Sequence, residues 1–117
     1  MLLQIFYVGL GSFAGGVLRF LSFYFLPFGI LGNLLWVNVL GSVCIGFLSQ
    51  ILVSQEMRLV FIMGFLGSFT TFSTFSLELF ELFSSQKLLL AFLYLVASVI
   101  LGVLGVWGGI ILFRWIL

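Results

Sequence analysis

From Leu88 to Phe113 the chain reads LLLAFLYLVASVILGVLGVWGGIILF, without one charged side chain. A bilayer core of about 30 Å is crossed by roughly 20 mainly apolar helical residues, and this run is longer than that. Three further apolar stretches precede it. Four spans are expected, over residues 3–24, 31–54, 57–83 and 88–114, separated by Pro27, by Ser54-Gln55-Glu56 and by Ser84-Ser85-Gln86-Lys87. With 64% hydrophobic and 6% charged residues, 117 residues provide too little interior to hide the apolar surface from water. The solvent is lipid, where unpaired backbone groups are too costly, so the fold class is all-α integral membrane with four transmembrane helices in a single domain. The first seventeen residues lack a basic start and a small-residue cleavage site, so the chain is expected to be integral from end to end.

Several function classes are excluded by what is missing. Cys44 is the only cysteine and there is no histidine, so no metal-ligand cluster, Cys/His nucleophile pair or disulfide framework exists, and Cys44 reads as a small packing residue. The ionisable side chains that remain, Arg19, Glu56, Arg58, Glu78, Glu81, Lys87 and Arg114, form no tuned acid–base or nucleophilic set, and the chain is not expected to be an enzyme. No basic patch offers itself to nucleic acid. The cations also balance. Arg58 and Arg114 fall on one side of the membrane and Lys87 and Arg19 on the other, so the Lys/Arg bias that orients a membrane protein is absent. A chain with no preferred orientation can insert both ways and pair antiparallel. The alternative is that other features of the chain or the insertion machinery fix one topology.

Helices in lipid associate through small residues that let backbones approach, and Gly11-xxx-Gly15, Ser12-xxx-Gly16 and Gly105-xxx-Gly109 are candidate seams. Tyr94, Ser98, Gly102, Gly105 and Gly109 share one face of the fourth span, and Asn38, Ser42 and Ser49 align on the second. The third span differs in kind. GFLGSFTTFSTFSLELF, Gly64 to Phe80, sets hydroxyl side chains among phenylalanines at membrane depth, in a segment of low helix propensity. A break in the helix near residues 67–73 is expected, with Gly67 in the turn, where a bulky side chain would strain the backbone. Such a break exposes carbonyl oxygens of the kind that hold Na⁺ in membranes. Phe72 and Phe75, spaced i and i+3, share a face, and aromatic edges stabilise an anion weakly. Conduction needs that weakness.

The segment GFLGSFTTFSTFS, with VNVLG around Asn38 and GSFAGGVLR ending at Arg19, resembles the signatures of the Fluc fluoride channels, also called CrcB proteins. The resemblance runs along nearly the whole chain. It implies a dual-topology antiparallel homodimer in a prokaryotic plasma (inner) membrane, passively exporting cytoplasmic fluoride through two pores, with a structural Na⁺ at the dimer centre. On that resemblance the carbonyls of Gly67 and Thr70 from both chains would cage the Na⁺. Phe72 and Phe75 would line the pore, Asn38, Ser73 and Thr74 would donate hydrogen bonds, and Glu78, Tyr94 and Ser98 would form a polar track. Arg19 would have a structural or vestibule role.

The chain departs from the family pattern at Gly67-Ser68, where Gly-Gly is usual, and at Asn33-Leu34-Leu35, where Gly-Thr-Leu is frequent. The first signature differs at Ser12, Gly16 and Phe20. Leu34 removes a hydroxyl from the track, and a paired homologous chain is the alternative partner to a second copy. Two other functions fit the four spans. A small multidrug-type transporter would need a membrane-embedded carboxylate in the first span, and residues 1–24 have none. A non-transporting assembly subunit would use the glycine seams without a polar path.

Overall fold

The computed structural model describes residues 1–117 and is entirely helical. Helix α1 is Leu2–Phe25 and α2 is Gly29–Ile51. The third span, Gln55–Ser84, is composite: α3 (Gln55–Arg58), a π-helical segment Leu59–Leu66, α4 (Gly67–Phe69) and α5 (Phe72–Ser84). Helix α6 is Leu88–Ile116. Four helical stretches are therefore long and apolar enough to cross a membrane. Only 17 of 117 residues are buried within the chain, and the exposed ones include many large apolar side chains, as expected of a surface solvated by lipid. The longest dimension, 47 Å, is close to the ~40–45 Å of a bilayer with its headgroups.

The helix ends follow from local chemistry. Leu26 precedes Pro27 and is extended (ψ 137°), as proline demands of its predecessor, so α1 stops at Phe25. Asn33 then secures the turn into α2. Its Nδ2 donates to the carbonyls of Leu26 (3.0 Å) and Phe23 (3.3 Å), and its Oδ1 accepts from the Phe28 N–H (3.0 Å). Those are groups that a helix end and a turn would otherwise leave unpaired. Gly29, at φ +78°, provides the left-handed residue that starts α2.

Helix α2 ends at Ile51 rather than at the expected 54, because Leu52 and Ser54 are extended. The Ser54 hydroxyl caps the third span by accepting from the Met57 N–H (3.2 Å), and the Arg58 guanidinium donates to the Leu52 carbonyl (3.0 Å). Helix α5 closes with paired bonds from Gln86 N–H to the Phe83 carbonyl (3.0 Å) and from Lys87 N–H to the Leu82 carbonyl (2.9 Å). Gln86, at φ +59°, is the left-handed residue such a closure requires.

Two tight pairs organise the bundle. Helix α1 lies along the π-helical segment, and a Cβ added at Gly11 or Gly15 would overlap the carbonyl oxygens of Val60 or Phe65. Helix α2 lies along α6, where a Cβ at Gly46 or Gly109 would overlap the carbonyls of Val106 or Val43. Both pairs are small-residue seams of the expected kind. The Ser12/Gly16 seam is different. A Cβ added at Gly16 would meet nothing of its own chain, while the Ser12 carbonyl accepts from the Ser68 hydroxyl (3.0 Å) and ties α1 to α4. Ser68, where glycine is usual in the resembled family, thus contributes an interhelical bond.

The five buried apolar residues Leu34, Phe75, Leu82, Ala91 and Tyr94 join α2, α5 and α6. Val37, Leu66 and Phe69 form a second core under the interruption of the third span.

Candidate functional site

Thr70 and Thr71 alone separate α4 from α5, both with extended backbone (ψ 159° and 124°). Extended geometry is confined to these two residues; Gly67–Phe69 and Phe72 onward are helical. Gly67 is therefore not in a turn. Its φ and ψ are −61° and −32°, and an added Cβ would meet only the Ile62 carbonyl at an ordinary 3.6 Å. The expectation that a larger residue there would strain the backbone is corrected: Gly67 is exposed and helical, and its own chain does not require glycine.

The hydroxyls of the segment are mostly occupied by its own backbone. Thr70 Oγ1 donates to the Leu66 carbonyl (2.9 Å), and Ser76 Oγ to the Phe72 carbonyl (3.0 Å). Thr71 is the cap of α5: its Oγ1 accepts from Thr74 N–H (3.2 Å) and donates to Thr74 Oγ1 (3.1 Å). Thr74 keeps its own hydroxyl hydrogen. Ser73 is exposed and makes no hydrogen bond within the chain. One end of this stretch terminates a helix and the other starts one, which is what small hydroxyl residues do best.

Asn38 projects from α2 onto the interruption. Its Oδ1 accepts from the Thr71 N–H (2.9 Å), and its Nδ2 donates to the Thr71 carbonyl (3.1 Å), which leaves one Nδ2 hydrogen unused. Gly41, one turn along, receives the Thr70 methyl in a space that a Cβ would fill. Ser42 and Ser49 return their hydroxyls to the carbonyls of Asn38 and Gly46 (2.8 Å each). Their alignment with Asn38 therefore serves α2 itself.

Around the interruption lies an open groove of about 370 Å³. Asn38, Gly67, Thr70, Phe72, Phe75 and Ser98 all line it, so three distant segments converge on one site. The rings of Phe72 and Phe75 are 5.9 Å apart and tilted by 42°. They differ in burial: Phe75 is 7% exposed and Phe72 78%. Phe75 packs on Tyr94, with centroids 5.2 Å apart. Tyr94 Oη and Ser98 Oγ, one turn apart on α6, are buried and have no hydrogen-bond partner. An unpaired buried hydroxyl costs ~1–3 kcal/mol, so these two are poised for something outside the chain's own inventory.

Glu78 is half-buried on α5. Ser73, Thr74, Glu78 and Tyr94 do not line the groove itself. Arg19 is half-buried on α1, away from the groove, and makes no hydrogen bond or ion pair. Leu34, 1% exposed, packs in the cluster that holds Phe75 and Tyr94. Thr71 and Gly41 are site residues that reasoning from the sequence missed. The signals were a threonine three residues ahead of Thr74, as a cap requires, and a glycine one turn from Asn38.

The family model described as CrcB-like protein, Camphor Resistance (CrcB), matches residues 6–110. The chain belongs to this family. The resemblance carried by GFLGSFTTFSTFS, VNVLG and GSFAGGVLR is thereby borne out. Among curated relatives, a protein of Chlorobium phaeobacteroides named "Fluoride-specific ion channel FluC" is 39% identical over 110 residues, covering 87% of this chain and 86% of the relative. Proteins of the same name from Allorhizobium ampelinum (36% over 126 residues, 97% and 98% covered) and Elusimicrobium minutum (40% over 115 residues, 93% and 92%) are similar along comparable lengths.

Proposed function

We propose that the chain is a fluoride-selective channel that lets cytoplasmic fluoride leave passively across a prokaryotic plasma membrane. The observation that carries this reading is family membership along residues 6–110, with relatives named fluoride-specific channels. The groove supports it chemically. A small, strongly hydrated anion must exchange water for polarised hydrogens. In the groove, the spare Nδ2 hydrogen of Asn38, the Ser98 hydroxyl and the edges of Phe72 and Phe75 are such partners, with the hydroxyls of Ser73, Thr74 and Tyr94 outside its lining as further donors along the path, and no fixed cation stands among the groove residues to trap the ion. Glu78 belongs to the same polar track, and Arg19 has a structural or vestibule role. No step requires catalysis.

The balanced Lys/Arg of the two membrane sides and the family resemblance favour an antiparallel pair as the working unit, each chain closing the other's open groove. A paired homologous chain is the alternative to a second copy. A central Na⁺ fits the donors present: the Gly67 and Thr70 carbonyls are hard oxygen ligands beside an interrupted helix, and the exposed Gly67 brings no side chain in front of them. Two carbonyls are half of a four-oxygen shell, which a second chain completes. When bound, the ion offsets the negative ends of carbonyls held away from water.

Purified protein in liposomes is expected to release fluoride down its gradient without a proton gradient, and Phe75→Ile to slow that release strongly while the protein still assembles. Proton-driven cation efflux would mark a multidrug-type transporter instead, and no transport at all an assembly subunit. In the same preparation, thermal stability is expected to rise with Na⁺ over N-methylglucamine; equal midpoints would remove the cation from the reading.

Orientation has its own test. Two lysines added beside Lys87 and two added beside Arg114 are expected to give chains of opposite fixed topology, each inactive alone and active together. Activity of either variant alone would refute the antiparallel pair.

A further inference from the structure

We propose that Asn38 is a positioning residue that holds the third span open, by taking the Thr71 amide hydrogen that a continuous helix would place on the Gly67 carbonyl. The functional consequence of that role rests on the conduction reading above. The geometry itself does not.

In an α-helix the Thr71 N–H would bond the carbonyl four residues back, which is Gly67. Here Thr71 has φ −148° and ψ 124°, and in such a strand-like residue the N–H and C=O point the same way. One carboxamide can then bridge both. Asn38 does so with bonds of 2.9 and 3.1 Å, accepting at one end and donating at the other, as a neighbouring strand would. The same helix seats the adjacent residue, because Gly41 leaves room for the Thr70 methyl. Clamp and seat are thus one turn apart on α2.

Without the clamp, the Thr71 N–H would be unpaired at membrane depth, at a cost of several kcal/mol, whereas its carbonyl, at the cap of α5, would keep the first bond of that helix. The nearest remedy is local. The segment resumes its helix, the Thr71 N–H returns to the Gly67 carbonyl, and that oxygen is no longer free for another partner. Resuming the helix also re-aims everything after Thr71, including Phe72 and Phe75. Asn38 would therefore govern the carbonyl and the two rings together, through a backbone it touches rather than through the ion alone.

Asn38→Asp separates this role from direct contact with the anion. A carboxylate can accept from the Thr71 N–H but opposes the Thr71 carbonyl, whereas a protonated carboxyl restores both bonds. The acid form thus keeps both bonds in the folded state, and the stability they contribute is present at low pH and lost as pH rises and the carboxyl ionises. Glu78 on α5, Tyr94 on α6, Cys44 on α2 and Arg19 on α1 are present in every variant, so their contribution is read from the wild type.

The measurement is thermal unfolding of the full chain in fluoride-free buffer between pH 5 and pH 8, for wild type, Asn38→Asp and Asn38→Ala. We expect Asn38→Asp to fall about 5 °C below wild type at pH 8 and to recover towards it as pH falls. Asn38→Ala is expected to stay low throughout. Should Asn38→Ala fail to fold, the acid and neutral limbs of Asn38→Asp carry the comparison. An Asn38→Asp midpoint that tracks wild type at every pH, or one that stays low at every pH, overturns the proposal. Because no fluoride is present, a positive result stands even if vesicle assays show no fluoride flux, and the two readings fail separately.

Discussion

Gly109→Val is expected to destabilise the protein by about 3 kcal/mol or more, because the added atoms have nowhere to go but into backbone. A Cβ at Gly109 would overlap the Val43 carbonyl oxygen and come within 2.8 Å of the Phe47 nitrogen. Neither is the far end of a flexible side chain. The helices would have to separate, and the reciprocal contact of Gly46 with Val106 would be lost with them. Gly105, whose Cβ would lie 3.2 Å from Ser42 Cβ, would lose its packing in the same movement. The control lies one residue away. Gly108 has nothing within 4 Å, so Gly108→Val is expected to change stability by less than ~0.5 kcal/mol. Reversible unfolding in mixed micelles compares the pair, and equal losses for the two variants would show that the α2–α6 seam is not what holds the bundle.

Asn33→Leu is the second large effect. Leucine keeps the heavy-atom count and the Cγ branch point of asparagine, so the substitution removes the polarity without deleting the side chain, although its two methyl groups need more room. Asn33 is 7% exposed and makes three hydrogen bonds to the backbone around Pro27, one accepted and two donated. Removing them leaves the Phe28 N–H and the Leu26 and Phe23 carbonyls without the side chain that caps them. At ~1–3 kcal/mol for each group left unsatisfied, a loss on the order of 4 kcal/mol is expected, with the α1–α2 turn loosened first. Proteolysis at residues 25–29 together with the unfolding midpoint reads both. If the leucine variant matches wild type in both measurements, the turn is held by Pro27 and Gly29 alone.

Much of this protein is written in one dimension. Four apolar runs at membrane length leave a chain in lipid no option but helices, since each helix satisfies its own backbone and needs no partner to do so. That is why the four spans were legible from residue order alone. The glycine pairs Gly11/Gly15 and Gly105/Gly109 were legible for the same reason, being periodic on a helix whose period is known. So was the motif GFLGSFTTFSTFS, whose order alone marks the family.

Pairing between segments was not. The periodicity that set Asn38, Ser42 and Ser49 on one face of α2 says nothing about what lies opposite. The fold turned the two serines back on their own helix and delivered Asn38 to Thr71, 33 residues away. Asn33, read only as a departure from a pattern, became the bracket of the first turn. Gly67, read as a turn, is helical; the extended residues lie three and four positions later. Phe72 and Phe75 share a helix face, yet one is exposed and one is core. Asn38 and Phe75 were decided by contacts with residues distant in the chain, Thr71 and Tyr94, and the others by bonds within their own helix or turn. A local pattern sets which groups a segment can offer, but only the packed helices determine which of them meet.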